Sequence, residues 1–212
     1  MPLELRELDP EQDFLQVAQC LFESYEDPPQ KFFHVLFPIH GEGNDARNDA
    51  IKEAAERLYL WHVNDPESYW QVVVDTDNGE IVGGAYWKIH KKNPFAEPQS
   101  SEATWFPDDS SRAYANQALA QHTAPRAQHF QMPHLYLFII FTNPEYRRKG
   151  VGKTFMDWGK AKADELALDF CLDSTPYGRP LYEANDFVYV YENVNSPKNE
   201  KPDETWKQME KK

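Results

Sequence analysis

The eight residues Arg147, Arg148, Lys149, Gly150, Val151, Gly152, Lys153 and Thr154 combine a basic run with two glycines and a hydroxyl, residue types that suit phosphate binding. Cationic side chains supply charge, and glycine lets an anion approach backbone N–H groups that a Cβ would shield. The ending Gly-Lys-Thr is that of a nucleotide P-loop, which requires Gly-x-x-x-x-Gly-Lys-[Ser/Thr]. Counting back from Gly152, the first glycine of that pattern falls at Arg147, whose side chain obstructs the tight approach to phosphate. Only a short C-terminal stretch with one short helical segment follows, too little for the strand–helix units of a P-loop fold. The Gly-Lys-Thr ending is therefore coincidence. What remains is Arg147-x-x-Gly150-x-Gly152, a glycine loop with the helix-start geometry that receives phosphate oxygens.

The elements that position this loop can be read from periodicity. Leu3, Leu5 and Leu8 open a short strand, and from Pro10 to Tyr25 apolar residues recur at helical spacing. Residues 44 to about 63 form a second helix, and residues 69–90 form a hairpin around Asp77-Asn78-Gly79. Residues 93–133 interrupt the rhythm with prolines, serines and glutamines, so a surface insertion is expected, carrying a weak helix from Arg112 to Ala120. The run HLYLFIIF, residues 134–141, is a central strand buried on both faces. The glycine loop turns it into a helix with Val151, Phe155, Gly159, Ala163 and Leu166 along one side. DFCLDST is then an internal strand, GRPLYEAN a short helix, FVYVYENV a further strand and TWKQME a last one. No internal repeat or second domain is visible, so one domain over residues 1–212 is expected.

With these elements in place, Arg147-x-x-Gly150-x-Gly152 matches the Arg/Gln-x-x-Gly-x-Gly/Ala signature of the GNAT superfamily of acyl-CoA-dependent N-acyltransferases. TPYGRPLYEANDF, residues 175–187, resembles a second segment of that family, with Thr175, Gly178, Leu181, Tyr182 and Phe187 at matching positions. Asp186 stands where the family usually has Gly, a tolerable change because Asp visits the left-handed turn region more readily than most residues. The element order is also similar, and DWGKAKADEL resembles members from filamentous fungi, which names no substrate. The resemblance implies an α/β GNAT fold: a mixed central sheet of about six to seven strands with helices on both faces.

It also implies a chemistry, transfer of an acetyl group from acetyl-CoA to a primary amine of a small molecule by direct attack through a tetrahedral intermediate. The backbone of Ile140, Phe141 and Thr142 would pair with the pantetheine arm. The loop from Arg147 to Thr154, through the N–H groups of Arg148 to Lys153, would hold the pyrophosphate, and Thr175 would contact the arm or cap the next helix. Tyr182 would be the general acid, since a phenol with a reference pKa of about 10 is protonated at neutral pH and a departing thiolate is basic enough to take its proton. No motif marks a general base: His134, His90, Glu80 and Asp173 are candidates and none is assigned. Phe32, Phe33, His34 and Phe37 line an aromatic acceptor pocket or belong to the core. Two alternatives stay open, a protein N-terminus or lysine as acceptor, and an acyl-CoA-binding module without turnover.

The bulk properties narrow the partners. A net charge of −13 over 212 residues repels nucleic-acid phosphate and mildly favours cationic small molecules. Cys20 and Cys171 are the only cysteines, expected as buried thiols with no disulfide framework or zinc site. No apolar run approaches the length of a membrane span, and the charged N-terminal stretch lacks the apolar core of a secretory leader. A cytoplasmic monomer or homodimer with no metal, membrane or nucleic-acid partner is the expectation.

Overall fold

The computed structural model describes residues 2–97 and 102–211. Its centre is a five-stranded sheet in the order β1 (Leu3–Glu7), β2 (Ser68–Asp75), β3 (Glu80–His90), β4 (His134–Thr142) and β5 (Asp169–Leu172). Neighbours pair antiparallel except β4 and β5, which run parallel, so the sheet is mixed. One face packs on α1 (Phe14–Glu26) and α3 (Gly43–Val63), through Val17, Leu21, Leu58, Trp70 and Tyr86. The other packs on α5 (Val151–Leu166), through Trp87, Leu135, Leu137, Phe155 and Met156. Gly159 lets α5 pack closely on the sheet: a Cβ there would stand 2.7 Å from the rings of both Trp87 and Phe170. The α/β fold with helices on both faces is as expected.

Among the described residues the strand count is five rather than six or seven, because two expected strands are not formed there. FVYVYENV is irregular, and Val188 and Val194 are 82% and 72% exposed. Its alternation has no neighbouring strand to face. Side-chain amides of Gln117, Gln121 and Asn193 instead tie residues 193–198 to the helix α4 (Asp109–His129). TWKQME lies in a helix, α7 (Glu204–Lys211), whose first turn is capped by Asp203 Oδ1 accepting the Trp206 N–H at 2.8 Å. Trp206 and Met209, three residues apart, are buried on one face of it. β5 is also an edge strand, not an internal one.

The segment 93–133 carries far more structure than a surface loop. Helix α4 (Asp109–His129) is 21 residues long, capped by Asp108 Oδ1 on the Ser111 N–H at 2.8 Å. Its many alanines favour helix strongly, a signal diluted by the surrounding Ser and Gln. With Ala103 and Phe106, its Ala115 and Ala118 form a small core of their own against Val35 and Met209. The aromatic cluster before α3 includes the single turn α2 (Phe33–Leu36), and Phe33 and Phe37 are buried against Phe22. Those two are core. Phe32 lies against the His122 ring of α4 instead, at 4.7 Å between centroids.

Both cysteines are buried, which pushes each thiol up to about 12 and leaves it inert at neutral pH. Burial likewise lowers the pKa of His62, His90, His122 and His134. The folded state therefore keeps these imidazoles neutral where the unfolded chain protonates them, and stability must fall as pH drops through the unfolded value of about 6.5. The melting temperature is expected to decline between about pH 7.5 and 5.5, before carboxylates begin to titrate. A flat profile over that window would mean that burial does not hold these rings neutral.

Candidate active site

β4 and β5 pair from His134↔Asp169 to Leu137↔Leu172, and there β5 ends. β4 continues to Thr142, so its residues 138–142 present an open backbone edge. The parting point coincides with a bulge. Tyr86 pairs with Ile139 but Trp87 with Leu137, which leaves Phe138 as an extra residue. Its effect is visible in packing: Leu135 and Leu137 join the core on the α5 side, whereas Ile139 and Phe141 join the α1 side. One inserted residue has switched the faces of the strand.

A cleft of about 560 Å³ follows that open edge. Phe138, Ile140, Phe141 and Thr142 form one wall, and Thr175, Gly178, Leu181 and Tyr182 form the other. Ser24, Tyr25, Pro28 and Gln30, at and beyond the end of α1, close it from the side. The Tyr25 hydroxyl donates to the Ile140 carbonyl at 3.1 Å, a link across 115 positions that sets α1 against the strand.

At one end of the cleft lies the glycine loop. Asn143 Oδ1 accepts the Glu145 N–H at 3.0 Å, Pro144 begins a 3-10 turn over Pro144–Tyr146, and the buried Tyr146 hydroxyl donates to Asp75 Oδ2 at 2.9 Å. Arg148 and Gly150 then take left-handed φ values of 60° and 93°, which turn the chain into α5. Gly150 is the cap residue and has no side chain to bond the first turn, and the first helical bond is Thr154 N–H to the Gly150 carbonyl at 2.9 Å. The N–H groups of Val151, Gly152 and Lys153 thus have no helical acceptor, and the positive end of a 16-residue helix meets the cleft. A Cβ on Gly152 would stand 3.0 Å from Leu181 Cδ2, so these two residues bring α5 close to α6 (Arg179–Glu183).

The loop residues do not all face the same way. Arg147, Arg148, Gly150, Val151, Gly152 and Lys153 line the cleft. The Arg147 guanidinium donates to the Ser24 carbonyl at 2.9 Å and to that of Asp27, so its charge anchors the chain beyond α1. Lys149 Nζ lies over the Tyr146 ring, 4.7 Å from its centroid, and is not among the lining residues. Lys153 pairs with Asp157 at 2.5 Å on an exposed helix face, and Thr154 Oγ1 donates to the Gly150 carbonyl. Thr175 both lines the cleft and uses its Oγ1 to accept the Gly178 N–H at 3.2 Å, so its capping and lining positions coexist.

Tyr182, on α6, is 7% exposed and lines the cleft. Burial raises its phenol above the ordinary value, and the neighbouring Tyr25 adds to the effect. Of the four candidate bases only Asp173 reaches the cleft. His90 and His134 face one another where β3 and β4 pair at the far end of the sheet, 4.8 Å between ring centroids. Glu80 is exposed beside the hairpin turn. Asp173 is set in a polar cluster: Arg126 Nη1 at 2.7 Å and the Tyr136 hydroxyl at 2.9 Å both donate to its Oδ2. His122 Nε2 lies 3.5 Å from the same oxygen. Arg126 and His122 come from α4, and nothing in their local spacing marks them.

The model of the family described as Acetyltransferase (GNAT) family matches residues 21–187. Curated protein sequences give no match. Among solved structures, a GCN5-related N-acetyltransferase from Ralstonia eutropha is 15% identical with a TM-score of 0.55, covering 92% of this chain and 98% of that one. A structure described as histone acetyltransferase HPA2 and related acetyltransferase, from Corynebacterium glutamicum, is 18% identical with a TM-score of 0.55 and 92% of each chain covered. The aminoglycoside N-acetyltransferase AAC(6')-Iy, solved with a CoA-containing bisubstrate analog, is 13% identical with a TM-score of 0.51 over 94% of this chain and 99% of that one. At these identities the structural likeness speaks for the fold. The family match spans most of the chain, from within α1 to just beyond α6, and takes in the glycine loop and Tyr182: the chain belongs to the GNAT acetyltransferase family.

Proposed function

We propose that the protein is an acetyl-CoA-dependent N-acetyltransferase whose acceptor is a primary amine of a small molecule. The observation that carries this reading is the continuity of one cleft, from the uncapped start of α5, along the open edge of β4, to Tyr182. An anion, an amide-bearing arm and a leaving group each find a matching partner along it. Acetyl-CoA supplies the activated acyl thioester.

In this reading the free N–H groups of Val151, Gly152 and Lys153 receive the pyrophosphate, with Arg148 and Lys153 adding charge at the rim. Backbone groups of Ile140, Phe141 and Thr142 pair with the amides of the arm, as an added strand pairs with an open sheet edge. The distance from Thr142 to Phe138 is about 13 Å at ordinary strand rise, so the acyl end lies near the bulge. The neutral amine attacks the thioester carbonyl and the C–N bond forms in a tetrahedral intermediate; as this collapses the C–S bond breaks, the Tyr182 phenol gives its proton to the departing sulfur, and the nitrogen's surplus proton passes through water to restore the phenol. Burial that raises the phenol also makes the thiolate a stronger base in the same dry site, so the transfer remains matched.

A thermal-shift titration with acetyl-CoA beside Mg-ATP tests the cofactor. Acetyl-CoA alone should raise the melting temperature, by about 2.7 kcal/mol of added stability at a hundredfold excess over its dissociation constant. CoA release is then followed with small amines and with peptides in parallel. Stabilisation by ATP, or by neither ligand, would overturn the cofactor assignment, and turnover of peptides alone would move the acceptor to protein amines.

A further inference from the structure

At the end of the cleft away from the glycine loop, where β4 and β5 part, stands the Asp173 carboxylate. All its hydrogen bonds fall on Oδ2, from Arg126 and Tyr136, with His122 close by on the same side. Oδ1 receives no hydrogen bond from the described residues, and the side chain keeps 14% of its surface exposed at the cleft wall. Fixing one oxygen of a carboxylate orients the other.

Two donors at the side of the cleft are already engaged. The Tyr25 hydroxyl is committed to the Ile140 carbonyl and the Ser24 hydroxyl to the Cys20 carbonyl. A partly buried carboxylate oxygen left without a donor is costly, so this wall suits a ligand that brings several N–H groups and a positive charge.

Resting on the N-acetyltransferase reading above, we infer that the acceptor is an alkyl primary amine that enters as its ammonium, is held by Asp173 Oδ1, and gives up one proton to solvent water before its nitrogen attacks. Arg126, Tyr136 and His122 are then positioning residues, acting through the carboxylate. This places the reacting nitrogen beside Phe138, the residue at the bulge, and opposite the phenol-bearing wall. It also gives a reason for the length of α4, which delivers both Arg126 and His122 to the parting point of the sheet.

The test uses the full chain with butylamine, an uncharged amine (methoxyamine) and a short peptide with a free N-terminus. Butylamine should be turned over, and Asp173→Asn should raise its KM by about tenfold to a hundredfold, the worth of a charge-assisted hydrogen bond, with kcat and acetyl-CoA affinity largely kept. Because that variant leaves Arg126 without its anion, the double variant Asp173→Asn with Arg126→Met is measured beside it, and retained acetyl-CoA binding shows that either protein is folded. Turnover of methoxyamine or the peptide without butylamine would overturn the inference and leave the N-acetyltransferase reading intact. So would an unchanged butylamine KM, or a fall in kcat with KM unmoved. Wild-type protein that fails to bind acetyl-CoA, or releases CoA with none of the three, would overturn the underlying reading and this inference with it.

Discussion

Tyr182→Phe is expected to bind acetyl-CoA as tightly as the wild type and to turn over about 10²-fold more slowly, the usual contribution of a positioned general acid. The ring should stay where it is. It packs against Phe187, and the absence of a Cβ at Gly178, which would meet the ring at 3.0 Å, gives it room. The hydroxyl makes no hydrogen bond to another described residue, so its removal orphans no partner and the melting temperature should hardly move. The rate then separates an acid from a packing residue: a tyrosine that only packs would keep both its stability and its rate. The pH profile adds a second readout. Burial holds the phenol above its ordinary value, so the acid stays protonated through the mildly alkaline range and any alkaline loss of rate must come from another group. Steady-state kinetics with acetyl-CoA and the best amine decide the matter, and a normal kcat in Tyr182→Phe would remove the tyrosine from the reaction.

How much of this was legible in the sequence depends on whether a feature is local. Gly150, Gly152 and Tyr182 belong to short spacings, and local spacing survives into the fold because it reflects one turn and one helix start. The apolar run of β4 was equally plain, since a strand buried on both faces must be apolar throughout. The bulge at Phe138 was not, because an extra residue shows only against the register of β3. Arg126 and His122 were hidden for a similar reason. They lie 47 and 51 positions before Asp173 and join it only when α4 has packed, and the Ser, Gln and Pro residues around that helix masked its alanines. FVYVYENV misled in the opposite direction. Its alternation is that of a strand, yet a strand also needs a neighbour, and β5 remains the edge.

Gly152→Leu is expected to abolish acetyl-CoA binding, raising its dissociation constant by about a hundredfold or more, which corresponds to about 2.7 kcal/mol of lost affinity. The argument turns on what the substitution does not damage. Gly152 is inside α5, where leucine is a better helix former than glycine by nearly 1 kcal/mol, so the helix itself gains. The nearest atom to a new Cβ is the far end of the Leu181 side chain at 3.0 Å, and a flexible methyl can yield. A folded protein with an unliganded melting temperature near the wild type is therefore expected. The cofactor loses its place for two reasons at once: the side chain shields the first-turn N–H groups, and with Leu181 it narrows the cleft between α5 and α6. Calorimetric titration of both proteins with acetyl-CoA, each checked by circular dichroism, measures the difference. Equal affinities would mean that the anion does not lie against the start of α5, and the pyrophosphate assignment of the whole loop from Arg148 to Lys153 would fall with it. A variant that keeps its fold and loses only the cofactor would locate the phosphate at the backbone, where the Arg147 side chain, already engaged with Ser24 and Asp27, cannot substitute for it.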